Sequence, residues 1–125
     1  DVYKRQVSNG DAQASVQCHC RECQYITGGH PNVLMIMPLD GFKFLSGKPK
    51  EFKRNDLENS MTRLFCSKCG TAIGTSPPMR PQSLILTVGT WDEPSIFEPE
   101  IAIFTSDKQK FHYIDDNVKS FDKKP

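Results

Sequence analysis

Residues 15–29 read SVQCHCRECQYITGG, and the spacing of Cys18, Cys20 and Cys23 within them is the most informative feature of the chain. Side chains two apart on an extended segment point the same way, so Cys18 and Cys20 can share a face. A turn after Cys20 brings Cys23 round to the same point. Three thiolates from one short stretch can then fill three corners of a zinc tetrahedron, and an open fourth corner distinguishes a catalytic site from a closed structural one. His19 lies between two of these cysteines and, on an extended segment, points away from them. Arg21 and Glu22 read as a solvated flank. His30 follows Gly28-Gly29 in a loop able to overhang the cluster, and His112 reads as packing in a late strand.

A second cluster follows at residues 65–70, FCSKCG. Here a strand delivers Cys66, a tight turn returns Cys69, and Gly70 suits a turn position of positive φ. A redox CxxC would need a βαβ context, which the surrounding sequence does not offer. From spacing alone, the simplest arrangement is one four-thiolate site with two sulfurs from each cluster, leaving one cysteine spare. The open three-thiolate site is the alternative. The total of five cysteines is odd, and the CxC and CxxC spacings are too close to staple distant loops. Metal binding therefore outranks disulfides. Reduced thiols point to the cytoplasm.

Around these clusters the chain is punctuated by glycine and proline. Short apolar or alternating runs lie between: 32–37, 42–45, 50–53, 61–65, 83–88, 101–105 and 111–114. Several are rich in Val, Ile, Phe and Thr, which favour strands. A mainly β architecture of short antiparallel sheets is expected, with helical turns after Cys20 and near Asp92–Phe97. Trp91 and Asp92 read as core and turn residues. The basic residues of Lys48–Arg54 read as a solvated strand face, and the tail Lys119–Pro125 as a loose end. The 125 residues fit one domain. A net charge of +1 argues against a nucleic-acid partner, and no apolar run approaches the ~20 residues of a membrane helix.

The hexapeptide Asp1–Gln6 stands apart. It can be back-translated as GATGTGTATAAGAGACAG, a transposon end used in preparing sequencing libraries. On this reading residues 1–6 are a non-native read-through, and residues 7–125 form the domain.

From Val7 onward the chain resembles the glutathione-dependent formaldehyde-activating enzyme (GFA, or CENP-V) family. The carrying segments are SVQCHCRECQYITGG, FKFLSGKPKEFKR, TRLFCSKCGTAIGTSPP and LTVGTWDEPSIFEPEIAIFTSDKQKFHYID, in the family's order. The resemblance implies an Mss4-like fold around zinc-binding cysteine motifs. It implies a catalytic zinc on Cys18, Cys20 and Cys23, and a structural zinc held in part by Cys66 and Cys69. The family's other two structural ligands come from an N-terminal CxCG motif, absent here, so the resemblance implies a missing first strand and an incomplete structural site. The implied activity is that of a carbon–sulfur lyase joining a small thiol to an aldehyde, as in S-hydroxymethylglutathione formation. A three-thiolate shell is electron-rich, which favours thiolate delivery over carbonyl activation. The rival reading is a non-catalytic zinc module for protein interaction. A concave pocket beside an open metal favours the enzyme, and a closed four-thiolate shell favours the module. The oligomeric state is left open.

Overall fold

The computed structural model describes residues 5–125 and is mainly β. Asp1–Lys4, most of the unusual hexapeptide, lie outside the described residues. Arg5 and Gln6 open the strand β1 (Arg5–Ser8).

The segment that ends in the first cysteine motif is strand β2 (Ala14–Cys18), and helix α1 (Arg21–Thr27) follows after two residues. The helix starts at Cys20, whose Sγ accepts the backbone N–H of Cys23 at 3.3 Å. A side-chain acceptor at this position satisfies a donor the helix leaves open. It ends at Gly28, which takes φ +88° while its N–H bonds Gln24 O at 2.9 Å. Only glycine adopts that left-handed cap without strain.

The remaining strands are β3 (Asn32–Pro38), β4 (Phe42–Ser46), β5 (Lys50–Phe52), β6 (Thr62–Phe65), β7 (Ala72–Ser76), β8 (Ser83–Thr87), β9 (Ile101–Ile103) and β10 (Lys119–Ser120). Eight of them form one sheet in the order β10-β9-β2-β3-β8-β7-β6-β5, and β1 pairs with β4 in a second, two-stranded sheet. The pairings are antiparallel except β2 with β9 and β9 with β10, which are parallel. The expected runs at 32–37, 42–45, 50–53, 61–65 and 83–88 are thus strands, within a residue or two at their ends.

Two expectations need correction. The run 111–114 is not a strand: it lies in a loop, where the side chain of Gln17 in β2 donates to Tyr113 O at 2.6 Å. Nor is the tail loose. Phe121 N–H bonds Ala102 O at 2.9 Å and Phe104 N–H bonds Lys123 O at 3.0 Å, so residues 119–123 continue the sheet edge. Backbone donors and acceptors outweighed the polar side chains that made this segment look like an end.

The register sorts the side chains onto two faces. Ala14, Ile36, Ile85, Thr75, Arg63 and Phe52 lie across from one another in successive strands, with Val16, Leu34, Thr87 beside them and Cys18 opposite Asn32. This face carries the core of Val16, Cys18, Cys23, Leu34 and Ile85, so α1 packs here through Cys23. The opposite face carries Met35, Met37, Leu64, Leu84 and Leu86, with Phe42, Phe44, Trp91 and Phe97 against them. Burying each such side chain contributes about 1.5–3 kcal/mol before entropy is counted. The second sheet and the short 3-10 turn at Val88–Thr90 therefore close one side, and α1 covers only part of the other.

Candidate metal centre and adjoining groove

Cys18 ends β2, Cys20 caps α1 and Cys23 sits in its first turn. Strand and helix thus meet at the CxCxxC, and its sulfurs lie within 4.8 Å of one another. In a tetrahedral zinc site with bonds near 2.3 Å, sulfurs stand about 3.8 Å apart. The cluster therefore needs to close by no more than about 1 Å, and its donors suit a thiophilic divalent ion. Cys18 and Cys23 are buried, Cys20 is partly open, and none of the five cysteines is in a disulfide.

The thiols also hydrogen-bond one another. Cys20 is the sulfur that ionises: hydrogen bonds from the Cys18 and Cys23 thiols and the Cys23 N–H pull its pKa down to about 3. The Cys18 thiol, donating to Cys20, is pushed up to about 12. Cys23 is held protonated more strongly still, by its bonds to Cys18 and Cys20 and by burial.

Behind the cluster lies a buried polar network. His19 is fully buried and points away from the sulfurs, as the extended segment requires. The Gln109 backbone N–H donates to His112 Nδ1 at 3.2 Å, so that nitrogen carries no proton. It follows that His112 Nε2–H donates to Gly29 O at 2.7 Å, and His19 Nδ1–H donates to His112 Nδ1 at 2.8 Å. His19 Nε2 is then left to accept from the Gln17 amide at 3.1 Å. Burial pushes the His19 pKa down to about 4. Gln24, also buried, donates to His19 O at 2.7 Å and to Asp107 O at 3.0 Å. These bonds fix the 107–113 loop and α1 to the cysteine-bearing strand. His30 is exposed, its ring edge-on to Phe111 at 5.9 Å between centroids.

Glu22 is not a plain solvated flank. Its carboxylate accepts from both Arg54 and Arg63, tying α1 to β6 and to the segment after β5. Arg54 also reaches Asp56 at 2.6 Å. Of the basic stretch, Lys48, Lys50 and Lys53 are solvated, as expected, while Arg54 is drawn into this cluster.

Between α1 and β5–β6, on the sheet face that carries Cys18, runs a groove of about 420 Å³. Tyr25 and Ile26 form one wall, Phe52 and Arg63 the other, and Leu34 and Thr87 part of the floor. Nothing in the sequence flagged it, because its walls come from strands far apart in the chain. A larger hollow of about 850 Å³ lies between β1 and the Trp91 turn, and among the described residues no cysteine lines either space.

The second pair stands apart from the first. Cys66 is fully buried at the end of β6 and Cys69 is exposed in the turn, and neither belongs to the three-sulfur group. Gly70 has φ +76°, as the turn requires, and its N–H bonds Cys66 O at 2.8 Å. Thr71 Oγ1 lies 3.0 Å from Cys69 Sγ. Among the described residues, the arrangement favours a separate three-thiolate site over a ribbon built from both clusters.

A mainly β sheet with a three-cysteine group at a strand–helix junction defines a protein able to hold a metal ion. A family model described as "Glutathione-dependent formaldehyde-activating enzyme" matches residues 4–107, and the chain belongs to that family. No curated protein matches the chain. The crystal structure of a Rhodobacter sphaeroides protein, a Northeast Structural Genomics target, is similar in fold with a TM-score of 0.58. It is 12% identical, and the match covers 72% of this chain and 81% of that one. No helix among the described residues is long and apolar enough to cross a membrane.

Proposed function

We propose that this protein is a zinc-dependent enzyme that forms or breaks a carbon–sulfur bond between a small thiol and an aldehyde. The observation that carries this reading is the three-sulfur group with a groove on the same sheet face. A metal held there supplies a coordination position for a substrate thiol and lowers its pKa. The chain's own contribution is positional. Cys18, Cys20 and Cys23 come from a strand end and a helix start that the Gln24 and His19 bonds lock together. The groove orients the rest of the substrate.

In the addition direction, the substrate sulfur donates a pair to the carbonyl carbon. The C–S bond forms, the carbonyl π bond breaks, and the oxygen takes up the proton the thiol lost. Cys66 and Cys69 are proposed as ligands of a structural ion, which needs two further donors. Cytoplasmic residence and a small-molecule partner go with this reading.

The test follows formaldehyde consumption by zinc-loaded protein with a panel of thiols, using Cys20→Ser as control. Expected is thiol-dependent consumption that falls at least 100-fold in the variant. Equal rates in both proteins would refute the enzyme and leave a zinc-binding interaction module.

A further inference from the structure

The groove beside the cysteines has walls that restrict what it can hold. Its lining is mostly aromatic and aliphatic, including Tyr25, Ile26, Leu34 and Phe52. Among the described residues Arg63 is its one charged lining residue, and that guanidinium is paired with Glu22 and lies over the Phe52 ring at 5.3 Å. Arg54, Arg63, Glu22 and Asp56 together carry two positive and two negative charges, so the cluster beside the groove is neutral. The Thr87 hydroxyl is committed to Ala72 O at 2.7 Å and Ile73 O at 2.9 Å.

No cysteine lines the groove among the described residues, but residues that flank the cysteines do. Cys18 pairs in register with Asn32, and Leu34 packs against Cys18 and Cys23 while Asn32 and Leu34 line the groove. Helix α1 contributes Cys23 to one and Tyr25 and Ile26 to the other.

Resting on the thiol–aldehyde reading above, we infer that this groove is the substrate site and that it takes a small uncharged thiol with an aromatic or branched aliphatic body. Glutathione carries two carboxylates and an ammonium group. Lodging them against these walls gains no free counter-charge, because the lining guanidinium of Arg63 is already paired with Glu22. An aromatic body gains apolar burial and stacking on Phe52 and Tyr25 instead.

The test compares benzyl mercaptan with glutathione on the zinc-loaded full chain, by calorimetry under reducing conditions. Benzyl mercaptan should bind at least tenfold more tightly. Phe52 and Tyr25 are 47% and 64% exposed, so Phe52→Ala and Tyr25→Ala should fold normally. Each should weaken benzyl mercaptan about fivefold and leave glutathione unchanged. In Cys20→Ser, amide shifts of Ile26 and Thr87 on adding benzyl mercaptan would confirm groove occupancy without the metal. Glutathione binding as tightly, or benzyl mercaptan indifferent to both wall variants, would overturn the inference. Groove binding with no consumption of formaldehyde by any thiol would sustain it and refute the catalytic reading alone. Turnover of glutathione with the groove variants silent would do the reverse.

Discussion

Three thiols crowded into one corner cannot all ionise. Without metal one negative charge is shared, centred on Cys20, while the Cys18 and Cys23 protons hold the sulfurs together. A metal ion bound there would replace those protons. At pH 7–8 one of the three thiols is already ionised, so binding should release about two protons, where three independent thiols of ordinary pKa would release nearly three. Because both remaining protons must leave, affinity should rise with pH through this range. Calorimetry in buffers of different ionisation enthalpy counts the protons. The polar network behind the sulfurs makes its own prediction. His112→Ala leaves His19 Nδ1–H and the Gln109 N–H without their acceptor. A buried donor left unpaired costs about 1–3 kcal/mol, so melting should move down by several degrees in a scan of metal-loaded protein. At this scale the cysteines were legible because their relation is local: two, then three residues apart. Glu22 was not. Its partners Arg54 and Arg63 lie 32 and 41 residues away, and sequence spacing says nothing about such pairs.

Strand β3 and its neighbour β8 were legible as elements because their β-branched and apolar residues are continuous and bounded by proline or polar residues. Strand β7 was hidden by Gly74, which reads as a breaker. Its place in the sheet explains it: a Cβ there would sit 2.3 Å from Ile85 O in the neighbouring strand. Gly74→Ala must therefore push β7 from β8, at a cost of about 1–3 kcal/mol as in other overpacked sites. Chemical denaturation would check it, and an unchanged midpoint would show that the strands yield freely. The helical turn after Cys20 was legible from its function, since Cys23 had to come round to the other sulfurs. Its anchoring by Gln24 was not foreseen, although a glutamine on the buried side of a short helix was a signal that could have been read. The 111–114 run failed for the opposite reason. Its alternation of aromatic residues resembles a strand, but Tyr113 O accepts from the Gln17 side chain of β2 while the His112 ring bonds His19 and Gly29 O.

For the whole molecule, local pattern gives the class and little of the topology. The parallel pairing of β2 with β9 joins residues about 85 positions apart in the chain, and it brings the C-terminal segment beside the cysteine-bearing strand. The family resemblance anticipated the family and a mainly β fold but not this pairing, and the match to residues 4–107 bears out the family. The central claim is that Cys18, Cys20 and Cys23 hold a metal on their own, independently of Cys66 and Cys69. Metal content per chain tests it most directly, measured on the wild type, Cys20→Ser and Cys66→Ser after loading with zinc and removal of excess. The prediction is that Cys20→Ser loses the ion bound by the first cluster while Cys66→Ser retains it. If Cys66→Ser loses that ion as fully as Cys20→Ser does, the two clusters share a single four-thiolate site, and the open metal centre does not exist.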